Sequence, residues 1–341
     1  MKCVVSVVLL CLVSAPVVAQ SWADCSPQSD GHPPNNSSTL GPFAKTSFLN
    51  ATFNKKPLYG LFPSAYGTRK FPALLFMHGS TGQWEMYQPN LELYASHGFV
   101  VIFPFIKSPE KDKNPLTTNT DGTYLLEALD FATAANKDPT SPLFGKVDLD
   151  NVVLAGHSMG ATCSIAAGKR VTSRPGNGGV KLVITQHPGV CGPFGPPPLP
   201  ATWMPSDLET VINAVPVLFT TATNDGAFWP APQTATHEWG CFNKTMAMMK
   251  STPNPSIFAQ FSKAACLNDN KRLPFDDSGH NCPFKNNVET PWVTTAIKLY
   301  AHLGGSTHTK CSQMLYGQGE ASLSADPAID HAEIHPPPLR F

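Results

Sequence analysis

The sequence predicts an α/β fold in which a mostly parallel, twisted sheet is covered by helices on both faces. Short apolar runs alternate with segments of helical periodicity along the chain. Most of these runs are continuously apolar, which is typical of strands buried on both faces. A chain of 341 residues is long enough to bury a core of this size.

The predicted elements follow one another in a regular order. The segments Ser47–Asn54 and Pro57–Phe62 flank a Lys-Lys turn and predict an antiparallel hairpin. Alternation of strands and helices after it implies right-handed crossovers between parallel strands. The later strands are Phe71–Phe76, Phe99–Phe105, Asn151–Ala155, Val180–Thr185, Val215–Thr223 and Ser256–Phe261, and the helices are Trp84–His97, Asp121–Lys137, Ala161–Lys169 and Thr290–Leu303.

The two ends of the chain differ from this pattern. Met1–Ala19 has a Lys near its start, an apolar stretch and a small-residue cleavage pattern, which predicts a secretory signal peptide. Residues 20–40 are polar and predict an extended lead-in, and residues 306–341 predict a C-terminal tail. The folded domain is therefore expected over residues 41–305, in a secreted, extracellular protein or one held in a compartment of the secretory pathway.

Cysteine usage agrees with export. Seven of the nine cysteines lie outside the signal peptide, and Cys163 is expected to be a buried free thiol because it lies on a small-residue helix. The other six allow three disulfides in 15 pairings. We hypothesise that Cys266 bonds Cys282. The remaining four are Cys25, Cys191, Cys241 and Cys311.

Glycosylation sequons are consistent with the same route. Four N-x-[ST] patterns occur, in turn-like polar sequence, so we expect a glycoprotein. The acceptor residues are Asn35, Asn36, Asn50 and Asn243.

The charge balance limits the partners. Lys plus Arg equal Asp plus Glu at 24 each, and no long basic run exists. Nucleic acid is therefore not an expected partner, nor is stable membrane insertion after signal removal. Because C-x-x-C and Cys/His zinc spacings are absent, we expect no metal and no cofactor.

One short motif points to chemistry. The run Gly156-His157-Ser158-Met159-Gly160 lies between a predicted strand and a predicted helix. A strand that turns into a helix within so few residues forces Ser158 into a strained conformation with its hydroxyl at the apex. The two glycines avoid collisions there, so the pattern predicts a nucleophile elbow.

A serine nucleophile needs a base and an acid. Behind such an elbow the acid follows a later strand, and the histidine comes last. Asp225 directly follows the strand Val215–Thr223, and His280 lies in a loop before the final helix. The alternatives are Asp276 and Asp277 for the acid, and His237 and His302 for the base.

Backbone N–H groups must stabilise the oxyanion that such a serine generates. Met159, the residue after the nucleophile, supplies one N–H from the start of its helix. The loop after Phe71–Phe76 supplies the second, with the Ser80 N–H as the candidate donor.

The chain resembles α/β-hydrolases of the polyester hydrolase (PETase) and cutinase type, with their relatives the chlorophyllases and platelet-activating-factor acetylhydrolases. Phe43 to Leu303 is the extent of the likeness. It implies an α/β-hydrolase fold with Ser158 as nucleophile, Asp225 as acid, His280 as base, and Ser80 with Met159 as oxyanion donors. Four stretches carry it: Met77–Gly79, Tyr94–Ile102, Ser141–Gly160 and Ser278–Cys282.

Several positions depart from the pattern of these families. Polyester-cleaving members usually have an aromatic residue where Ser80 stands, and a Trp where this chain has Gln186-His187-Pro188-Gly189. Chlorophyllase relatives usually carry a large basic residue at the position of Met159. We name Thr81, His157 and Trp229 as substrate contacts, with Trp203 and Phe228 as alternative aromatic groups.

These observations together predict a secreted serine carboxylic-ester hydrolase that forms an acyl-enzyme. Its substrate is expected to be a hydrophobic small-molecule or polymeric ester. The alternatives are a chlorophyllase-like or phospholipid-deacylating enzyme and, from another class, a catalytically silent binding protein on the same fold. The sequence leaves the oligomeric state open.

Overall fold

The computed structural model describes the sheet, its helices and the loops that meet at one end of the strands. It covers residues 25, 40–43, 46–64, 67–80, 82–106, 121–189, 205–223, 225, 241–266, 279–284, 288–318 and 322–336. The strands are β1 (Thr46–Phe53), β2 (Lys56–Pro63), β3 (Phe71–Met77), β4 (Val100–Pro104), β5 (Val147–His157), β6 (Val180–Gln186), β7 (Val217–Ala222), β8 (Ser256–Phe261) and β9 (Ile329–His335).

These nine strands form one sheet in the order β1-β2-β4-β3-β5-β6-β7-β8-β9. The six strands from β4 to β8 in this order are parallel to one another. Antiparallel pairing is confined to the edges, where β1 and β2 form the predicted hairpin and β9 pairs with β8. The predicted mostly parallel sheet is therefore confirmed.

Helices cover both faces of this sheet, as predicted. They are α1 (Trp84–Ser96), α2 (Thr123–Lys137), α3 (Met159–Val171), α4 (Pro205–Ile212), α5 (Cys241–Ser251), α6 (Lys263–Cys266), α7 (Thr290–Ile297) and α8 (Lys310–Tyr316). A π-helical turn, Lys298–His302, continues α7, and shorter helical turns lie at Pro175–Gly179, Gly279–Phe284 and Leu323–Ala325. Helices α2, α3 and α4 contribute to one hydrophobic core, and α1, α7 and α8 to the other.

Strand β3 is buried on both faces of the sheet, which explains its apolar sequence. Phe71, Ala73 and Leu75 point into one core, whereas Leu74 and Phe76 point into the other. Every residue of β3 is buried, because side chains alternate across a sheet that has helices on both sides. A continuous apolar run is therefore required of a central strand here.

The C-terminal segment corrects one prediction. Residues 306–341 were expected to form a tail, but α8 contributes to a core and β9 pairs with β8 over Ser256–Phe261. The strand Ile329–His335 contains His, Asp and Glu and is only half-buried, so its sequence lacks the apolar run of a central strand. An edge strand needs only one buried face, and this explains why it resembled a tail.

Two disulfides lie among the described residues. Cys266 bonds Cys282, as hypothesised from the sequence, and Cys25 bonds Cys311. Cys163 is a buried free thiol, as predicted, and burial raises its pKa to about 12. Cys191 lies outside the described residues.

Some predictions concern parts of the chain beyond the described ranges. These parts include the signal peptide and the sequons at Asn35 and Asn36, whereas Asn50 is exposed on β1. Among the helices that the structure does describe, none combines the length and the apolar character needed to cross a bilayer.

Candidate active site

The turn between β5 and α3 brings Ser158 to the end of the central strand. Ser158 adopts φ 57° and ψ −119°, a strained conformation for a residue with a side chain. Its N–H donates to the Gln186 carbonyl over 2.9 Å, and its own carbonyl accepts from the Thr162 N–H. These bonds hold the strained turn in place.

The glycines on either side of the serine are required by backbone contacts. A Cβ on Gly156 would lie 2.2 Å from the backbone of Gly160, and one on Gly160 would lie 1.9 Å from the Met77 carbonyl oxygen. Neither neighbour is a movable side-chain end. The G-x-S-x-G pattern is thus a steric requirement of a helix that begins directly against β3.

The structure brings the three predicted residues of the triad together. His280 Nε2 lies 2.8 Å from Ser158 Oγ, and His280 Nδ1 lies 2.9 Å from Asp225 Oδ1. Because a carboxylate only accepts hydrogen bonds, Nδ1 carries a proton and Nε2 is left to accept from the serine hydroxyl. Asp225 and His280 are buried, and the Ser158–His280 bond is partly buried.

Neighbouring contacts hold the helical turn that carries His280. The Cys266–Cys282 disulfide lies two residues further along the chain. The side-chain amide of Asn90 donates to the Pro283 carbonyl over 2.6 Å, and His157 Nε2 donates to the His280 carbonyl over 2.8 Å. The imidazole is therefore fixed by its own backbone as well as by Asp225.

Asp225 is fully buried, and its two oxygens have different partners. Oδ1 accepts from His280, whereas Oδ2 accepts from His187 Nδ1 over 2.8 Å and from the Thr221 hydroxyl. Burial alone raises the pKa of this carboxyl. The charge of His280 and the hydrogen bonds from both histidines outweigh burial and hold the pKa well below its usual range.

The loop after β3 runs beside the serine. A Cβ on Gly79 would lie 2.9 Å from the Ser158 Cβ, so the loop approaches as closely as a glycine permits. The Gly79 N–H already donates to Tyr87 Oη, which leaves the Ser80 N–H as the next donor of the loop. Met159 is the first residue of α3, where an N–H has no partner inside the helix.

His78 fixes the conformation of this loop. Its Nε2 accepts from the Ile106 N–H over 3.0 Å, so Nδ1 carries the proton and donates to the Gly79 carbonyl. Burial lowers the pKa of His78 to about 4, which keeps the ring neutral at physiological pH.

His157 was named as a substrate contact, and the structure gives its ring nitrogens other partners. Nδ1 accepts from Tyr87 Oη over 2.9 Å, and Nε2 donates to the His280 carbonyl. Burial, with the charges of His280 and His187, holds the pKa of His157 well below its usual value. The ring lines the cavity but has no nitrogen left for a substrate.

A cavity of about 290 Å³ opens over the serine. Its described walls combine the loop after β3, the Ser158 and His280 side chains, and apolar side chains of α1 and of the His280 turn. Thr81 and Trp229, the other two named substrate contacts, lie outside the described residues, as do Trp203 and Phe228. The lining residues are Gly79, Ser80, Gly82, Met86, Tyr87, His157, Ser158, His280, Asn281 and Phe284.

The rival residues do not compete for the triad where they are described. His302 Nε2 donates to the His97 carbonyl, and the ring contacts Phe99 instead of the site. Burial lowers its pKa to about 3. Asp276, Asp277 and His237 lie outside the described residues.

Two groups of three buried residues each have potential ligand atoms as close together as those of a metal site. His187, Asp225 and His280 have ligand atoms within 4.8 Å of one another, as do His187, Cys282 and Glu289. Hydrogen bonds among the first three explain their proximity, and the sulfur of Cys282 is in a disulfide. We assign no metal to either grouping.

Three residues that contact the triad or its neighbours were not predicted to be site residues from the sequence. Tyr87 links Gly79 to His157, and His187 with Glu289 lies behind Asp225. The one available signal was Gln186-His187-Pro188-Gly189, noted only as a departure from the related families. Glu289 had no signal, because nothing in its local sequence marks it.

This sheet, with a serine at the tight turn after its central strand, defines an α/β-hydrolase-type protein. Residues 44–173 match the sequence model of the chlorophyllase family, which confirms the predicted resemblance to chlorophyllases over that stretch. The match covers less than half of the chain and supports a hydrolase of the α/β type. A search among curated proteins finds no match.

Proposed function

We propose that this protein is an exported serine esterase that hydrolyses hydrophobic carboxylic esters. The observation that carries the proposal is the line of hydrogen bonds from Ser158 Oγ through His280 to Asp225 Oδ1, over 2.8 and 2.9 Å. The strained Ser158 backbone supports the same role, because strain of this kind is concentrated at functional sites.

The acylation step uses all three side chains. Ser158 Oγ attacks the carbonyl carbon of the ester while its proton passes to His280 Nε2, and Asp225 stabilises the resulting imidazolium. The Ser80 and Met159 N–H groups stabilise the negative charge on the former carbonyl oxygen. The intermediate then expels the alcohol, which takes its proton from His280, and the acyl group remains on Ser158.

Hydrolysis of the acyl-enzyme returns the site to its first state. His280 Nε2 takes a proton from water as the water oxygen attacks the acyl carbon. The bond to Ser158 Oγ breaks, the serine regains its proton from His280, and the carboxylic acid leaves. No oxidant, reductant or further reactant is required.

The described walls of the cavity indicate the kind of ester. Met86 and Phe284 supply apolar surface beside the serine, and a volume of about 290 Å³ is at the lower end of ligand sites. These features favour an ester with a short or medium apolar group next to the carbonyl, as in cutinase-like or polyester substrates. A chlorophyllase-like activity on a pigment ester is the second candidate, favoured by the family match over residues 44–173.

Export is part of the proposal. The signal-like segment Met1–Ala19 supports it, and the two disulfides are compatible with an oxidising compartment. Protein recovered from the culture medium of an expressing cell should begin at Gln20 in N-terminal sequencing. Intact Met1 on the recovered protein would contradict export by cleavage.

Hydrolysis of p-nitrophenyl esters from acetate to palmitate tests the activity. Wild-type protein should turn over short or medium chains, and Ser158→Ala should lose on the order of 10⁴-fold in kcat. Ser173→Ala, which removes an exposed serine just beyond the end of α3, is the matched control and should keep wild-type rates. Full activity in folded Ser158→Ala would overturn the proposal. Turnover confined to a pigment ester would favour the second candidate.

A further inference from the structure

A second buried ion pair lies behind Asp225, on the side away from His280. His187 Nδ1 donates to Asp225 Oδ2 over 2.8 Å, and His187 Nε2 donates to Glu289 Oε2 over 3.0 Å. All three side chains are fully buried. The line from Ser158 therefore continues through Asp225 to two further groups.

The geometry determines the charge of His187. Each of its ring nitrogens faces a carboxylate oxygen, and an ionised carboxylate can only accept. The ring must then carry two protons and a positive charge. Burial by itself lowers the pKa of His187, but the charge of Glu289 and the hydrogen bonds to Asp225 and Glu289 outweigh it and raise the pKa to about 9.

The surroundings of Glu289 stabilise it as an anion. The Gln186 side-chain amide donates to Oε1 over 2.8 Å, and the Thr220 hydroxyl donates to the same oxygen. Glu289 is also the residue directly before α7, where the helix dipole favours a negative charge. Every described hydrogen-bond partner of this carboxylate is thus a donor.

The other charged or titratable groups around the pair can be named. The rings of His280 and His157 lie 6.2 and 6.3 Å from the His187 ring, centroid to centroid. Burial raises the pKa of the Tyr94 hydroxyl, and the charge of Glu289 raises it further. With His157 and Tyr94 neutral, the charges facing His280 are those of Asp225, His187 and Glu289.

A count of these charges shows what Glu289 contributes. Asp225 and His187 alone sum to zero, and a neutral pair stabilises an imidazolium on His280 poorly. Glu289 brings the sum of the three groups to −1. The buried carboxylate therefore restores the negative charge that His187 would otherwise cancel.

The arrangement is also costly for the fold. His187 is a non-glycine residue at φ 49°, where a side chain costs about 1 kcal/mol or more. Buried ion pairs are themselves weak contributors to stability. Two unfavourable features at one residue beside the triad favour a role in function over one in folding.

We propose that Glu289, acting through His187, is a positioning residue that orients Asp225 and keeps a net negative charge behind the catalytic base. This inference rests on the proposed esterase function. The competing explanation is a purely structural tie between β6, β7 and the start of α7.

Two substitutions separate charge from geometry. Glu289→Gln keeps the shape and removes the charge, whereas Glu289→Asp keeps the charge and shortens the side chain. In Glu289→Gln we expect kcat to fall about tenfold with KM within about twofold, and the acidic limb of kcat/KM to move to lower pH by about one unit. The direction follows because a smaller negative charge near His280 disfavours its protonated, positively charged form.

In Glu289→Asp the acidic limb of the kcat/KM profile should stay at the wild-type pH, because the charge is kept, even where kcat is reduced. Thr220→Val is the structural control, since it removes a hydrogen bond to Glu289 but no charge. The acidic limb of its kcat/KM profile should also stay at the wild-type pH. A limb that does not move in Glu289→Gln, or that moves equally in Glu289→Asp, would overturn the inference.

A measurement on unmodified protein covers the case in which these variants fail to fold. NMR of wild-type protein with ¹⁵N-labelled histidine should show two ring N–H groups on His187 at pH 8, and a single one would contradict the charge assignment. Ser158→Ala separates the two proposals. Wild-type activity in Ser158→Ala overturns the esterase, whereas an unmoved limb in Glu289→Gln with Ser158→Ala inactive overturns only the role of Glu289.

Discussion

Gly160→Ala sets two physical effects against each other at the turn that carries Ser158. Ala is favoured over Gly inside a helix by about 1 kcal/mol. The new Cβ, however, would lie 1.9 Å from the Met77 carbonyl oxygen and 2.5 Å from its carbon. Ordinary contacts need about 3.5 Å, so the helix start and β3 must separate by roughly 1.5 Å. We expect the steric effect to win and to cost about 3 kcal/mol.

Thermal and urea unfolding of the purified variant test this prediction. A loss of about 3 kcal/mol lowers the Tm by about 6 °C at about 2 °C per kcal/mol, and kcat should fall because Ser158 is displaced. The control is Gly168→Ala on the same helix, where the atoms nearest to the new Cβ would be Val211 and Val183 methyl groups at 3.1–3.2 Å. It should stay within about 1 kcal/mol of wild type. A Gly160→Ala protein as stable and active as wild type would refute the steric argument.

Three further predictions concern pH, the disulfide and the network beside the base. Burial lowers the pKa of His302 to about 3 in the folded protein, below its unfolded value of about 6.5. The free energy of unfolding should therefore decrease as the pH falls from 6.5 towards 3, and the slope of Tm against pH should be smaller in His302→Gln. Replacing Cys266 and Cys282 together by Ala removes a disulfide between cysteines 16 residues apart and should lower the free energy of unfolding in urea by about 3 kcal/mol. An unchanged urea midpoint would mean that the disulfide does not contribute to stability. Tyr87→Phe deletes the hydroxyl bonded to His157 and should lower kcat about tenfold at unchanged KM in steady-state assays; unchanged kcat would exclude that link from catalysis.

The parts of the site that could be predicted from sequence are those with a local cause. Ser158 follows from a strand, two glycines and a helix within one short run, because the steric demand of the turn acts between near neighbours. Asp225 and His280 follow from chain order, since a parallel sheet brings the ends of successive strands to one edge. In the structure His280 lies 2.8 Å from the Ser158 hydroxyl and 2.9 Å from the Asp225 carboxylate, which agrees with that reasoning.

The parts that could not be predicted depend on contacts between distant segments. His187 and Glu289 are 102 residues apart and meet only because the end of β6 and the start of α7 lie together. No spacing rule connects them, and a buried histidine or glutamate has no distinctive sequence neighbourhood. Strand β9 was missed for a related reason, because a half-buried edge strand carries polar residues that resemble those of a loop.

Covalent labelling of the serine tests the central claim most directly. Wild-type protein would be treated with a fluorophosphonate, and its mass and peptide map measured beside those of Ser158→Ala. The account predicts a single adduct on Ser158 in wild type and none in the variant, because Ser158 Oγ has His280 Nε2 as a base at 2.8 Å. Folded wild-type protein that takes no label, or takes it on another serine, would contradict the assignment of Ser158 as a nucleophile.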